Sequence, residues 1–287
     1  DAFSFHLAAL VFVVASVVIF SSPVEGVNFR EEFDVLYGGS NVGVENDGSL
    51  LSLRLNKVSG AQVQSKDRYQ FFKIDMKLKL VKGDSAGTVF SFYSLTGGSA
   101  RNEIDFEFLG NVSGQPYLVH TNLYINGVGN REQQYNLWFD PTVKFHTYTM
   151  LWNPNVVVWY VDDKPIRAYK NMASSGIPFP TNQPMRTSAS IWNGEDWATR
   201  GGAVKTNWSN APFTGEIKGY KVSACTSSKD STCDIGSVAT KPWYTQQLDS
   251  ITSQKIQSFQ SRYMVYNYCT DTKRFNGIFP PECSIKL

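Results

Sequence analysis

The stretch Asn102-Glu103-Ile104-Asp105-Phe106-Glu107-Phe108-Leu109-Gly110 alternates acidic and apolar side chains over most of its length. In a β-strand, side chains two residues apart lie on the same face, so this pattern predicts a strand with Glu103, Asp105 and Glu107 on one face. The apolar side chains lie on the opposite face, where we expect them to be buried. Three carboxylates on one face repel one another, so a purely structural strand has little reason to keep them.

The same two-residue period recurs from residue 29 to about residue 222, in short runs separated by Gly, Asn, Asp and Pro. This pattern predicts many antiparallel strands and an all-β sandwich. In residues 75–80 the charged and apolar side chains alternate fully, so we expect that strand to have one solvent-exposed face. The clearest predicted strands are residues 51–55, 73–80, 88–93, 147–152 and 156–161.

The last quarter of the chain contains all the cysteines, which are Cys225, Cys233, Cys269 and Cys283. An even count in one short segment predicts two local disulfides in an oxidising compartment. Three connectivities are possible, and the pairing of nearest neighbours is the simplest. A zinc site is the alternative, but no His accompanies the cysteines and no C-x-x-C pair is present. We interpret residues 27–224 as a sandwich domain and residues 225–287 as a disulfide-stapled extension packed on it.

Within this extension, one segment has helical periodicity and another alternates. Residues 243–261 predict an amphipathic helix, because four apolar side chains recur at roughly helical spacing. These four side chains are Leu248, Ile251, Ile256 and Phe259. Residues 263–269 alternate again, which predicts a final strand at the edge of a sheet.

Residues 8–20 are almost wholly apolar and are followed by small and turn-forming residues. The run is shorter than the roughly 20 residues that a membrane anchor needs, and it predicts a secretory signal peptide over residues 1–26. We expect a secreted mature chain that begins near Val27 and has no membrane segment. The sequons at Asn111 and Asn207 predict N-linked glycans.

Charge and composition narrow the class of partner. The chain has 27 basic and 25 acidic residues, a net charge of +2, and its Lys and Arg residues are spread along the sequence. This distribution does not indicate a nucleic-acid partner. Aromatic residues make up 14% of the chain, a composition that suits stacking on sugar rings. We expect a neutral partner and a monomeric protein.

The acidic strand has the residue types that retaining glycosyl transfer requires. One carboxylate attacks the anomeric carbon and another protonates the leaving oxygen, with the two groups about 5–5.5 Å apart. Residues i and i+4 of a regular strand are about 13 Å apart, so we expect a strongly curved sheet. Asp105 lies between the pair and separates their pKa values. A solvated acidic face and a Ca²⁺ site are the alternatives.

The motif 103–111 resembles the active-site motif of xyloglucan endotransglucosylase/hydrolases, plant cell-wall enzymes of glycoside hydrolase family 16. The similarity extends over residues 29–283 and includes a tail that bacterial lichenase-like relatives lack. Further similar blocks are residues 138–142, 183–186, 196–202 and 266–271, with Arg274-Phe275. The resemblance implies a β-jelly-roll of two curved antiparallel sheets, with substrate lying across the concave face.

The resemblance also implies roles for individual residues. Glu103 becomes the nucleophile, Asp105 its helper and Glu107 the general acid/base. A glycan is implied at Asn111. Further glucan-facing or sugar-contacting candidates are His120, Asn122, Tyr124, Trp192, Trp197, Arg200, Gly202 and Arg274. For His120 the alternative is an ordinary satisfied imidazole, and Arg200 has the alternative role of a loop anchor.

One departure from the family pattern lies directly before the predicted nucleophile, where Arg101-Asn102 replaces the usual His-Asp. The resemblance implies a xyloglucan donor, a xyloglucan acceptor or water, and a location in the plant cell wall or apoplast. Glycosyl transfer by two carboxylates requires no metal and no organic cofactor. The alternatives are a hydrolase of mixed-linkage β-glucan and a noncatalytic, lectin-like glucan-binding module; a structural wall protein is a further rival.

Overall fold

The computed structural model describes residues 27–181, 183–227 and 233–285, and the predicted signal peptide lies outside them. Two antiparallel sheets form the body of this part of the chain. The strands are β1 (Phe33–Tyr37), β2 (Val42–Glu45), β3 (Leu50–Leu55), β4 (Ala61–Ser65), β5 (Arg68–Lys79), β6 (Thr88–Leu95), β7 (Glu103–Leu109), β8 (Leu118–Tyr124), β9 (Gln133–Asn136), β10 (His146–Trp152), β11 (Val156–Val161), β12 (Lys164–Lys170), β13 (Arg186–Asn193), β14 (Phe213–Ser227) and β15 (Met264–Asn267). The α-helices are α1 (Phe29–Glu32), α2 (Pro242–Thr245), α3 (Ser250–Tyr263) and α4 (Thr272–Phe275).

Sheet A has the strand order β1-β4-β13-β6-β7-β8-β9-β15, and sheet B has the order β12-β11-β10-β5-β14-β3-β2. The predicted all-β jelly-roll of two antiparallel sheets is therefore confirmed. Each predicted strand overlaps an observed one, namely β3, β5, β6, β10 and β11. The acidic stretch forms β7, which lies near the centre of sheet A between β6 and β8.

The apolar face of β7 is fully buried between the two sheets. Phe106 stacks in parallel on Phe92 and Phe108, with ring centroids 6.2 and 6.0 Å apart. Tyr148 of sheet B meets Phe108 edge-on at 4.6 Å. The indole N–H of Trp159, also from sheet B, donates to the backbone carbonyl oxygen of Asp105 at 3.0 Å. These contacts fix β7 from below and direct its acidic side chains to the outer face of sheet A.

We expect Phe106→Ala to lower the free energy of unfolding by about 3–5 kcal/mol, because the substitution leaves a cavity among fully buried rings. Urea unfolding measures this loss. Val58→Ala is the matched control, since Val58 is 94% exposed and its truncation changes stability by less than about 0.5 kcal/mol. A loss below about 1 kcal/mol for Phe106→Ala contradicts the expected packing.

The helix predicted over residues 243–261 is wrong in its bounds. Helix α3 begins only after Asp249, whose carboxylate accepts the backbone N–H of Thr252 at 2.6 Å and caps the helix. Residues 246–249 separate α2 from α3 and are not helical, and the Gln246 carbonyl accepts the side-chain amide of Asn153 at 2.9 Å. The predicted apolar face is also partly wrong, since Ile251 is 63% exposed while Ile256 is fully buried. Five residues on a helix span about 500°, which places the two on different faces.

The extension joins the sandwich at several points. Strand β15 pairs with β9 at the edge of sheet A, as predicted. Helix α3 packs over β12 of sheet B. The disulfides are Cys225–Cys233 and Cys269–Cys283, which confirms nearest-neighbour pairing and excludes the zinc alternative. Strand β14 continues three residues past the predicted boundary at residue 224. No helix in the described ranges is long and apolar enough to cross a membrane.

Candidate active site

A groove of about 250 Å³ lies on the outer face of sheet A, over β13, β6 and β7. It brings together the three predicted catalytic carboxylates. Its lining consists of Ser91, Tyr93, Leu95, Arg101, Glu103, Asp105, Glu107, Ser190 and Trp192. The strand register explains the convergence, because Glu107 lies opposite Ser91, Asp105 opposite Tyr93 and Glu103 opposite Leu95. A freely solvated acidic face is excluded, since Asp105 is only 5% exposed.

Glu107 is a protonated acid at mildly acidic pH. Burial, and then the charge of Glu103, raise its pKa to about 7. On the neighbouring strand β8, His120 lies opposite Glu107, and its Nε2 atom is 3.6 Å from Oε2 of Glu107. Burial lowers the pKa of His120 to about 4, so the imidazole is neutral at pH 5–8. The contact is therefore not an ion pair in that range.

The tautomer of His120 follows from its second neighbour. The side-chain amide nitrogen of Gln134 lies 3.1 Å from Nδ1 of His120. Because an amide N–H donates, Nδ1 acts as the acceptor and the proton of the neutral ring is on Nε2. The Nε2–H group therefore faces the carboxyl group of Glu107.

Asp105 occupies the middle of the acidic row. Burial, together with the charges of Glu103 and Glu107, raises its pKa well above its usual range. Its Oδ1 atom is buried and has no hydrogen-bond partner among the described residues. A neutral carboxyl group at this position is able to donate a hydrogen bond to one of the flanking carboxylates.

Glu103 faces a fixed cation. The Nε atom of Arg101 forms an ion pair with Oε2 of Glu103. The guanidinium carbon of Arg101 lies 4.4 Å from the centroid of the Tyr124 ring, and Tyr124 is the cross-strand neighbour of Glu103. One end of the groove thus holds a carboxylate against a cation, and the other end holds a protonated carboxyl group. Such an arrangement is able to supply a nucleophile and a proton donor in one groove.

Two known protein families match most of the chain. Residues 29–210 match the family of glycosyl hydrolases family 16, and residues 238–283 match the xyloglucan endo-transglycosylase C-terminus. Xyloglucan endotransglucosylase/hydrolase protein 22 of Arabidopsis thaliana is 50% identical over 272 residues, which cover 93% of this chain and 95% of the relative. The chain belongs to the xyloglucan endotransglucosylase/hydrolase family.

Other relatives are similar over most of their length. Xyloglucan endotransglucosylase protein 1 of Diospyros kaki is 48% identical over 272 residues, 95% of this chain and 93% of the relative. Among solved structures, a β-glucanase of Bacillus licheniformis has a TM-score of 0.52 at 26% identity, covering 69% of this chain and 92% of that chain. The fold alone is shared with apo Crh5 transglycosylase, with a TM-score of 0.56 at 24% identity, covering 69% of this chain and 83% of that chain.

Trp192 and Trp197, which were predicted to stack on sugar rings, lie at the Glu107 end of the groove. Trp192 lines the groove, and its indole N–H donates to Ser91 Oγ at 3.3 Å. Trp197 packs next to it, with ring centroids 5.9 Å apart, and meets His120 edge-on at 5.7 Å. Both indoles are half-buried and lie over a small apolar cluster that includes Leu109. The three rings thus form a wall at the Glu107 end.

Two other residues that were predicted to contact sugar, Asn122 and Gly202, have roles in holding the local backbone. Asn122 is 4% exposed, and its Oδ1 accepts the backbone N–H groups of Leu123 and Arg131. Gly202 has a φ of +86°, and a Cβ there would lie 2.1 Å from the carbonyl oxygen of Asp196, so the loop requires glycine. Arg200 is exposed. Arg200 and Gly202 do not line the groove.

Arg274 also lies outside the groove lining. Its guanidinium forms two hydrogen bonds with Glu132, at 2.7 and 3.0 Å, and a third with the side-chain oxygen of Asn130 at 2.6 Å. It therefore connects the C-terminal extension to the segment before β9. Its charge, together with that of Glu132, reaches His120 and contributes to the environment of that ring.

The predicted glycosylation sites lie on connections at the surface. Asn111 follows the end of β7 and donates its side-chain amide to the carbonyl oxygen of Pro116 at 3.0 Å. Asn207 is exposed and accepts the backbone N–H of Ser209. Neither residue lines the groove.

Four groove residues besides Arg101 were not predicted, namely Ser91, Tyr93, Leu95 and Ser190, although a signal was present for three of them. Ser91, Tyr93 and Ser190 lie on strands whose intervening residues are buried, so the same alternation marks them as groove-facing. The hydroxyl of Tyr93 accepts the side-chain amide of Gln62 at 2.8 Å. Arg101 departs from the family pattern, but the sequence did not indicate its ion pair with Glu103.

Proposed function

We propose that this chain cleaves the β-1,4-glucan backbone of xyloglucan by a retaining double displacement. The glycosyl group then passes to another xyloglucan chain or to water. The observation that carries this proposal is the placement of Glu103 beside a cation and of Glu107 with a pKa of about 7 in one groove. The roughly half-identical relatives named for xyloglucan support the choice of substrate.

In the first step, Glu103 attacks the anomeric carbon while Glu107 gives its proton to the departing glucan oxygen. Burial raises the pKa of Asp105 and so favours its neutral form, which is able to donate a hydrogen bond that orients Glu103. His120 presents its Nε2–H to Glu107 and helps to hold that carboxyl group in place. We expect the two reacting carboxyl groups to come within about 5–5.5 Å of each other across the bound sugar.

In the second step, Glu107 accepts a proton from the incoming hydroxyl group, and the bond to Glu103 breaks. If the incoming group belongs to a sugar chain the result is transfer, and if it belongs to water the result is hydrolysis. We propose that Trp192 and Trp197 stack on sugar rings and exclude water from one side of the groove. We expect a secreted, monomeric glycoprotein that acts in the plant cell wall.

Incubation with xyloglucan and a labelled xyloglucan oligosaccharide tests this function. We expect label to enter high-molecular-weight product at a rate that exceeds the appearance of new reducing ends. New reducing ends on mixed-linkage β-glucan, without turnover of xyloglucan, would instead support a lichenase-like hydrolase. Sugar binding without any turnover would support the noncatalytic module.

The pH profile of the first step follows from the pKa of Glu107. Because Glu107 must be protonated to act as an acid, kcat/KM is expected to be high below pH 7 and to fall about tenfold for each pH unit above about 7. His120, with a pKa of about 4, is already neutral throughout this range, so it does not contribute to the fall of kcat/KM above pH 7. Measurement of kcat/KM between pH 5 and pH 9 checks this expectation, and a flat profile up to pH 9 contradicts it.

A further inference from the structure

The ion pair between Arg101 and Glu103 lies inside the proposed catalytic groove. Arg101 lines the groove, and its side chain is 36% exposed, whereas that of Glu103 is 15% exposed. Tyr124 holds the other face of the guanidinium at 4.4 Å. The cation is thus fixed between an aromatic ring and the carboxylate of the proposed nucleophile, and it contacts no other carboxylate among the described residues.

The charge on Glu103 changes during the proposed reaction, while that on Arg101 does not. Glu103 must be ionised to act as the nucleophile. Attack forms a bond between its oxygen and the anomeric carbon as the bond to the leaving oxygen breaks, and Glu107 supplies the proton to that oxygen. In the resulting ester the charge is gone. When the acceptor oxygen bonds to the same carbon and gives its proton to Glu107, the electron pair returns to Glu103.

A fixed cation stabilises the carboxylate at the start and end of this sequence more than the ester between them. We propose that Arg101 is a positioning residue that limits how much glycosyl-enzyme accumulates, by slowing its formation and accelerating its breakdown. This inference rests on the proposed double displacement. Tyr124 contributes by keeping the guanidinium in place when the charge on Glu103 is absent.

The fraction of enzyme present as the covalent adduct in steady-state turnover tests the inference. It is measured by acid quench and intact mass spectrometry with a xyloglucan oligosaccharide donor. We expect Arg101→Gln to raise the adduct fraction about two- to fivefold, the range of a partly exposed ion pair. Arg101→Lys keeps the charge and is expected to remain near the wild-type value. Tyr124→Phe, which keeps the ring, is the matched control for the stacking contact.

The adduct measurement distinguishes failure of the Arg101 proposal from failure of the double displacement itself. If adduct forms equally in the wild type and in Arg101→Gln, or if Arg101→Lys raises it as much as Gln does, the role of the Arg101 charge is refuted. If no variant forms adduct, even without acceptor, the double displacement itself fails. The kcat and KM values add a second readout. A purely structural loss lowers the amount of active enzyme, so it lowers the apparent kcat but leaves KM and the adduct fraction of the active enzyme unchanged.

A separate hollow of about 520 Å³ lies between helix α3, the start of β12 and Trp138. It contains basic side chains and no acidic ones. Its lining consists of Trp138, Lys164, Pro165, Ile251, Gln254, Lys255, Ser258, Phe259, Arg262 and Tyr263. The amino group of Lys164 lies 5.1 Å from the centroid of the Trp138 ring.

The three cations of this hollow are not neutralised by ion pairs. Lys164, Lys255 and Arg262 form none within 4.0 Å in the described part of the chain. Asp163 is adjacent to Lys164 in the chain, and the carboxylate of Asp249 already caps helix α3. The hollow therefore combines positive charge with aromatic rings.

We infer from this charge complementarity that the hollow binds an acidic polysaccharide, with uronate carboxylates on the cations and a sugar ring against Trp138 or Tyr263. Gln254 and Ser258 are available to sugar hydroxyl groups. A neutral glucan gains nothing from the three charges. This site is distinct from the catalytic groove and shares no lining residue with it.

Affinity electrophoresis in gels that contain polygalacturonate tests this site, with the fully methyl-esterified polymer as an uncharged comparison. We expect the triple variant Lys164→Ala, Lys255→Ala, Arg262→Ala to lose about tenfold in affinity at low salt. Its activity on xyloglucan is expected to be unchanged. The matched control, which loses the same charge at exposed lysines outside the hollow, is Lys57→Ala, Lys144→Ala, Lys221→Ala.

The control variant is expected to lose less than threefold in affinity. An equal loss in both triple variants refutes a specific site and indicates general charge attraction. Equal binding of the esterified polymer also refutes it. Binding to a nucleic acid that exceeds binding to polygalacturonate would assign the hollow to a different class of partner.

Discussion

Glu103→Ala is expected to lower kcat on xyloglucan by about 10⁴-fold or more, because the proposed covalent route has no other carboxylate beside a fixed cation in the groove. Folding should be retained, since the side chain of Glu103 lies at the surface of sheet A and not among the core rings. Thermal unfolding and binding to xyloglucan oligosaccharide check that the variant is intact. The rate of labelled-oligosaccharide transfer measures the loss.

External azide gives this prediction a chemical signature. In Glu103→Ala a small anion enters the space that the carboxylate leaves and attacks the anomeric carbon from the same face, so an α-glycosyl azide is expected from an activated β-donor. Glu195→Ala is a control carboxylate removal outside the groove. Turnover of Glu103→Ala within tenfold of the wild type, or a β-azide product, would exclude Glu103 as the nucleophile.

Glu107→Gln is expected to lower kcat on xyloglucan by about 10²–10⁴-fold, the range that general acid catalysis contributes. The amide has a similar size but no proton to give to the leaving oxygen. The loss of kcat/KM above pH 7 should also disappear, because Glu107 is the group with a pKa of about 7. Transfer assays and pH profiles on the variant measure both effects.

The leaving group provides the control for Glu107. Aryl donors with acidic phenols need little protonation, so Glu107→Gln should retain a much larger share of wild-type activity on them than on xyloglucan. With Glu103 intact, azide attacks the glycosyl-enzyme from the face opposite to Glu103, and a β-glycosyl azide is expected. If Glu107→Gln loses the same share of wild-type activity on aryl donors as on xyloglucan, Glu107 is not the general acid.

The strand that carries the proposed catalytic carboxylates could be predicted because its signal is local. Alternation along β7 depends only on the two-residue period of a strand, and the buried positions Ile104, Phe106 and Phe108 follow from it directly. The disulfides were predicted for a similar reason, since each pair lies within a short span of chain. The placement of β15 at a sheet edge followed from the same alternation.

Other features depended on contacts between distant parts of the chain. The start of helix α3 is set in part by Asn153, which binds the Gln246 carbonyl from another part of the chain. Arg167 is 2% exposed, yet it donates to the carbonyl oxygens of Thr121 and Arg131 and lies over Trp159. Arginine is ordinarily exposed, so its sequence position carried no sign of burial.

The sequence by itself determined which residues of β7 face outward and which carboxylates are available for chemistry, because strand periodicity acts over a few residues. It left three cysteine connectivities open, and the structure shows the nearest-neighbour pairing. Only the tertiary structure decided that Ser91, Ser190 and Trp192 border those carboxylates, because β13, β6 and β7 are neighbours in the sheet but not all in the chain. The fold also brings together Lys164 with two basic residues of helix α3. Burial and the neighbouring charge of Glu103 raise the pKa of Glu107 to about 7, above that of an exposed carboxyl group, and both are consequences of packing.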